Sequence, residues 1–157
     1  MGLRQLVQRQ YRMLVEAAAE RASGVETPPE GWLRTVRKAL GMSGAQMAAR
    51  LGVTRARVAQ AEAAEVSGRV TLRTMWEMAD ALDCRLVYAL VPRQPIDQII
   101  LVQARRKARS LVKNAGLHMA LESQGLSSRQ SSDEEERLAR ELAIAMPSDF
   151  WKDDPHG

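Results

Sequence analysis

The residues best suited to chemistry in this chain follow a glycine. They are Thr54, Arg55, Arg57 and Gln60, with Ala56 between the two arginines, in the stretch GVTRARVAQAE that begins at Gly52. On a helix these side chains share an outward face that meets no acid before Glu62. An arginine guanidinium can grip guanine O6 and N7 as a fork, and a glutamine amide can pair with adenine N6 and N7. An alanine methyl can touch the methyl of thymine. Such a face suits the reading of base edges in a major groove, whereas a merely solvated helix more often mixes Glu with Lys.

Other chemistry finds little support. The single cysteine, Cys84, excludes a disulfide within the chain, and with His118 and His156 far away it makes no metal-ligand spacing. Cys84 is expected as a small core residue and His118 as a helix-surface or part-buried one. There is no Ser-His-Asp set, no paired carboxylates and no glycine-rich phosphate loop, so neither catalysis nor a cofactor is expected. The acidic run Asp133 to Glu136 suits the positive end of a helix dipole. No apolar run reaches the roughly 20 residues of a membrane span, and the N-terminal MGLRQLVQRQYRM lacks the apolar core of a signal peptide. The expectation is a cytoplasmic protein without membrane contact.

Charge agrees with a polyanionic partner. The net charge is +4, but residues 31–95 hold ten Lys/Arg against five Asp/Glu, a local +5. Residues 1–30 balance at four against four, and 96–157 carry nine against ten. Positive charge concentrated in one block is the footprint of a module that meets nucleic acid.

The elements that must position the reading face follow from periodicity and caps. Leu3, Val7, Tyr11, Leu14 and Ala18 recur at steps of three and four, predicting an amphipathic helix from Leu3 to Ala22, ended by Ser23-Gly24. In TPPEGWL, Thr27 and Glu30 have capping-box spacing and Pro28 suits a first helical position. The helix so opened buries Trp32, Leu33, Val36 and Leu40, and Gly41 closes it. Ser43 starts a second helix with Met47, Ala48 and Leu51 inward. Gly52-Val53 makes a tight turn, and Thr54 caps a third helix with Val58 and Ala61 inward. A polar loop, Glu65 to Arg69, precedes a fourth helix capped by Thr71, with Leu72, Met75, Trp76, Ala79 and Leu82 as its core side. A helix-turn-helix needs a small residue on its first helix, a glycine at the turn and apolar contacts beyond it. Ala48, Gly52, Val53 and Val58 fill those roles.

Residues 84–92, CRLVYALVP, are β-prone and end at proline. A lone strand has no internal partner, so it is expected to pair with its copy in a second subunit through Leu86, Val87, Tyr88, Ala89 and Leu90. The alternative is a fifth helix. Beyond it, a long helix is expected from Pro95 to about Gln124, with Gly125 as its stop. It carries Ile96, Ile99, Ile100, Leu111, Val112, Ala115 and Met119, and the basic cluster Arg105, Arg106, Lys107, Arg109 and Lys113. That cluster either grips flanking phosphates or is the solvated side of the helix. SSRQSS reads as a polar hinge, and Ser132 with Glu135 as a capping box opening a last helix to about Ala145. Phe150-Trp151 is either a partner anchor or docks onto its own domain.

Residues 31–91 resemble a lambda-repressor-like (Xre-type) helix-turn-helix domain, with Ser43, Met47-Ala48 and LGVTRARVAQAE matching that family's motif in order. The resemblance implies base reading by Thr54, Arg55, Ala56, Arg57 and Gln60. It implies phosphate contacts by Ser43, Gln46, Arg50, Arg69, Thr71 and Arg73, and a structural role for Glu62. One departure is Gly44, where the family often has glutamine, so that contact is lost or passes to Gln46. Over most of the chain, PPEGWLRTVRKALGMS, GRVTLRTMWEMADALDCRLVYALVP and the basic helix are similar to the family called mobile mystery protein A, whose members are typically encoded beside a Fic-domain protein. That implies an antitoxin-like partner of a Fic-type enzyme. The inhibitory motif of known Fic antitoxins is missing: Ser131 and Glu135 are followed by Glu136, and Ser132 and Glu136 by Arg137.

The expected architecture is all-α: a helix-turn-helix bundle with one short dimerising strand and helical extensions at both ends. Residues 1–26 form the N-terminal arm, 27–92 the DNA-binding domain and 93–157 the C-terminal extension. The expected function is a homodimeric, autoregulatory repressor on a palindromic site, with recognition helices about 34 Å apart. The alternative is an interaction module that restrains a Fic-type enzyme through residues 96–157.

Overall fold

Local caps and apolar periodicity produce seven helices in the computed structural model, which describes residues 2–121 and 127–152, with the backbone alone for 118–121. They are α1 (Leu3–Ala22), α2 (Trp32–Ala39), α3 (Gly44–Leu51), α4 (Arg55–Val66), α5 (Leu72–Ala81), α6 (Ile96–Leu121) and α7 (Ser128–Ala145). The chain divides into two compact units, one formed by Ala18–Leu90 and the other by the segments on either side of it, with the division falling inside α1.

The core of the Ala18–Leu90 unit joins Leu33, Met47, Ala48, Val58, Ala61, Met75, Met78 and Leu82. Ser43, Thr54 and Thr71 each accept a hydrogen bond from the backbone N–H three residues on, so α3, α4 and α5 begin where their caps predict. Three expectations fail here. Trp32, Leu40, Leu72 and Trp76 are exposed (Trp76 at 50%), while Met78 is buried in their stead. A step of three or four fits two overlapping faces of α5, and packing against α3 selects the one with Met75, Met78 and Leu82. Secondly, α2 begins at Trp32, not at the Thr27 box. Pro28 instead closes a turn, its carbonyl accepting from Gly31 N at 2.9 Å. Thirdly, Glu65 belongs to α4, so the loop before α5 is shorter than expected.

No strand exists among the described residues, and residues 84–91 are neither strand nor helix. A strand is defined by its ladder, and this single chain offers the segment no partner. Leu86 tucks against the core, while Val87, Tyr88, Ala89 and Leu90 stand exposed, Leu90 at 89%. Cys84, expected in the core, is an exposed free thiol.

In the other unit α7 returns antiparallel along α6. Gln103 Nε2 donates to the Phe150 carbonyl at 2.8 Å, Lys107 Nζ to the Asp149 carbonyl at 2.6 Å, and Arg105 pairs with Glu136. Ile100, Ala104, Ala108, Ala139, Met146 and Phe150 form its core. The small residues let the two helices approach closely. Helix α7 starts at Ser128 because Ser127 and Gln130 make the capping box; SSRQSS is therefore the helix start and not a hinge, and Asp133 to Glu136 lie beyond its first turn. Phe150 is 1% exposed and docks onto its own unit, whereas Trp151 stays outside. Gln124, Gly125, the side chains of His118 and Met119, and His156 lie outside the described residues.

Candidate nucleic-acid interface

The reading face is built by the turn beneath it. Gly52 takes the left-handed conformation at φ 66°, and its N–H returns to the Ala48 and Ala49 carbonyls. Glycine adopts this φ without a Cβ penalty. Val53 N donates to the Ala48 carbonyl at 3.0 Å, and Thr54 Oγ1 then accepts from Arg57 N at 3.2 Å. With Val58 and Ala61 buried, Thr54, Arg55, Ala56, Arg57, Ala59 and Gln60 are left facing outward, all exposed. The side chains of Arg55, Arg57 and Gln60 have no hydrogen bond or ion pair to any described residue. Thr54 is thus committed to capping, and the three longer side chains are free.

Around this face the other candidates separate. Ser43 and Gln46 are exposed and locked together, Ser43 N donating to Gln46 Oε1 at 2.7 Å and Gln46 N to Ser43 Oγ at 3.1 Å. This leaves the Gln46 side-chain amide N–H groups to donate elsewhere. At Gly44 a Cβ would sit 3.8 Å from Arg55 Cγ, so the base of Arg55 lies beside the spot the glycine leaves open. Arg50 donates from Nε to the Ala81 carbonyl at 2.9 Å, satisfying the C-terminal end of α5. Arg69 is exposed, and its side chain has no partner among the described residues. Thr71 is occupied as the cap of α5, accepting from Thr74 N at 3.1 Å. Arg73 is exposed and lies 3.2 Å from Glu77, one turn on.

The back of α4 is fastened by acids. Glu62 is buried, with Arg37 Nε at 2.6 Å and Arg34 Nε at 3.1 Å from its carboxylate. Arg37 also donates to the Met42 carbonyl at 3.0 Å, tying α2, the α2–α3 turn and α4 together. Burial pushes the Glu62 carboxyl upward, but hydrogen bonds from Arg37 and then Arg34 outweigh it and hold the group below the usual carboxylate range. Glu65 caps α2 from across the fold: Trp32 N donates to Oε1 at 2.7 Å and Leu33 N to Oε2 at 2.9 Å. Gly31 makes this possible, since at φ 78° its Cβ would lie 2.7 Å from Glu65 Oε2. Sequence spacing gave no sign of the Glu65 cap, whose donors lie more than thirty positions away.

The basic cluster of α6 is engaged within its own unit. Arg105 holds Glu136 at 3.2 Å, Arg109 approaches Glu135 at 3.7 Å, and Lys107, 6% exposed in its side chain, holds Asp149 Oδ2 at 2.9 Å. The Lys107 ammonium draws the Asp149 carboxyl below its usual range. Of the two sequence readings, phosphate grip or solvated face, neither describes the buried Lys107, whereas Arg105 and Arg109 are exposed as on a solvated face and are paired there with acids of α7. They bind α6 to α7 and to the tail.

A left-handed glycine between two short capped helices, the second presenting free arginines, defines a helix-turn-helix. Residues 33–88 match the model of the Helix-turn-helix family, a class of DNA-binding regulatory domains. This is just over a third of the chain, so it is the Xre-like domain within the chain that is identified. Comparison with curated proteins and with solved structures found no match. No described helix is long and apolar enough to cross a membrane.

Proposed function

We propose that this chain is a sequence-specific, DNA-binding transcriptional repressor that reads bases with Arg55, Arg57 and Gln60. The observation that carries the reading is that these three side chains are exposed and unpartnered on the helix that follows the Gly52 turn. Ala56 supplies a methyl between them, and Thr54 orients the helix start. Gln46, Arg69, Arg73 and Ser43 at the rim contact phosphates. Arg50 and Thr71 stand in the same region but are engaged in helix ends.

A second copy, paired through Val87, Tyr88, Ala89 and Leu90 with Leu86 beneath, places two reading helices on a palindromic site. The exposed apolar segment supports this. The likeness to mobile mystery protein A supports autoregulation and an antitoxin-like pairing with a Fic-domain protein. The test is footprinting on DNA upstream of the gene, followed by Arg55→Ala and Arg57→Ala. Both variants are expected to lose specific affinity and relax base choice at one position each. Wild-type behaviour of both on operator and random DNA overturns the assignment.

One observation favours a second role, binding of a Fic-type enzyme through residues 96–157. Helices α6 and α7 leave a groove of about 650 Å³ between them, floored by Leu111, Val112, Ala115 and Leu138 and edged by Asp133 and Glu134. Co-purification of the Fic-type neighbour with the full chain, and its loss with a 1–95 truncation, tests that role.

A further inference from the structure

An amphipathic helix ordinarily turns its apolar face to the core. Helix α1 does the reverse. Arg4, Gln8 and Arg12, one turn apart, face the rest of their unit: Arg4 donates to the Met146 carbonyl at 3.1 Å, Gln8 Nε2 to the Met146 sulfur at 3.4 Å, and Arg12 pairs with Asp97. Leu3, Leu6, Val7, Tyr11, Met13 and Leu14 are all exposed, Leu3 at 78%, and no described residue of the helix is buried. At about 1.5 Å per residue the stripe from Leu3 to Leu14 is ~17 Å long. Along one edge of it, at steps of seven and four, lie Arg9, Glu16 and Glu20, whose side chains have no partner among the described residues.

We propose that this stripe is an interaction surface for α1 of a second copy, the two helices lying antiparallel. Overlap of the whole helix about its midpoint sets Arg9 opposite Glu16 of the partner subunit, and two-fold symmetry makes the pair twice. The same register sets Leu14 opposite Tyr11 of the partner subunit and covers the stripe on both chains. A parallel arrangement instead puts the Arg9–Glu16 edges of the two copies on opposite sides of the seam, so that neither Arg9 meets Glu16 of the partner subunit. The charge pairing along that edge therefore selects the antiparallel arrangement. The proposal goes beyond the DNA-binding reading and does not depend on it.

The test is sedimentation equilibrium on the full-length chain, carrying Cys84→Ser to exclude disulfide formation. Val7→Glu with Leu14→Glu is expected to weaken self-association at least about tenfold while the helical circular dichroism is retained. Arg9→Glu alone and Glu16→Arg alone are each expected to weaken it about fivefold, and the two together to restore it. A monomeric parent, association indifferent to the stripe, or a double swap that fails to restore it each overturns the proposal. Val87→Glu with Leu90→Glu separates the readings. Association lost there and unchanged by the α1 variants sinks the α1 pairing and leaves the strand-paired repressor standing.

Discussion

Helices α4 and α6 are both rich in basic residues, and their charges end in opposite circumstances. In α4 both acids are spent on α2, Glu62 saturated by Arg34 and Arg37 and Glu65 capping the helix start, so Arg55 and Arg57 remain outward with nothing to hold. In α6, Arg105, Lys107 and Arg109 are each met by an acid from α7 or the tail. Basic charge in a sequence marks a nucleic-acid surface only where the fold leaves it unpartnered. The local +5 of residues 31–95 lies mostly in the Ala18–Leu90 unit, whose acids are partly consumed internally, while in the other unit acids of α7 and the tail fasten basic residues of α6.

The comparison breaks most visibly at Glu62. Glu62→Gln leaves the half-buried Arg37 without its carboxylate and is expected to cost about 2–3 kcal/mol in urea unfolding. A loss below about 1 kcal/mol means that the pair does not fasten α4. Because the folded Glu62 carboxyl lies below its unfolded value, its contribution is complete above the ordinary carboxylate range. It is lost as pH falls through that range toward the depressed folded value. The Glu62→Gln variant should therefore show a flatter acid limb than the wild type.

The free arginines give the next largest effect. Arg55→Ala and Arg57→Ala should each lose about 1–3 kcal/mol of discrimination between operator and mismatched DNA, with stability changed by no more than ~0.5 kcal/mol. Unfolding as severe as that of Glu62→Gln would show that they are structural after all. Gly31→Ala should destabilise by about 1–2 kcal/mol, combining a strained φ with displacement of the Glu65 cap. Thermal unfolding indistinguishable from wild type argues against that cap. The smallest effect belongs to α6: Arg105→Ala with Arg109→Ala should cost less than about 1 kcal/mol, because both pairs are exposed. The slope of DNA affinity against salt should not change, since a basic residue released from no phosphate alters no counterion count. A shallower slope would return the α6 cluster to the DNA surface.

The features legible in the sequence were those whose physics is local. Ser43, Thr54 and Thr71 cap helices through a hydrogen bond three residues away, and Gly52 supplies a left-handed turn that few other residues tolerate. Those signals place α3, α4 and α5 without reference to the rest of the chain, and with them the outward face of α4. They also predicted α1 and the end of α7.

Local signals misled where two were equivalent or where a distant partner decided. Thr27 with Glu30 and Ser132 with Glu135 both have capping-box spacing, yet α2 starts later and α7 earlier. A carboxylate from α4 satisfies the first N–H groups of α2, and no rule of spacing connects Glu65 to Trp32. The apolar periodicity of α1 showed a stripe but not that Arg4, Gln8 and Arg12 would turn inward instead.

The sequence by itself determined where the turn falls and which side chains the reading helix presents, because caps and left-handed glycines act over three or four residues. Only the tertiary structure decided which charges are spent and which remain free. Pairing depends on which helices meet, and Arg105 and Arg55 differ in nothing but the neighbours the fold brings to them.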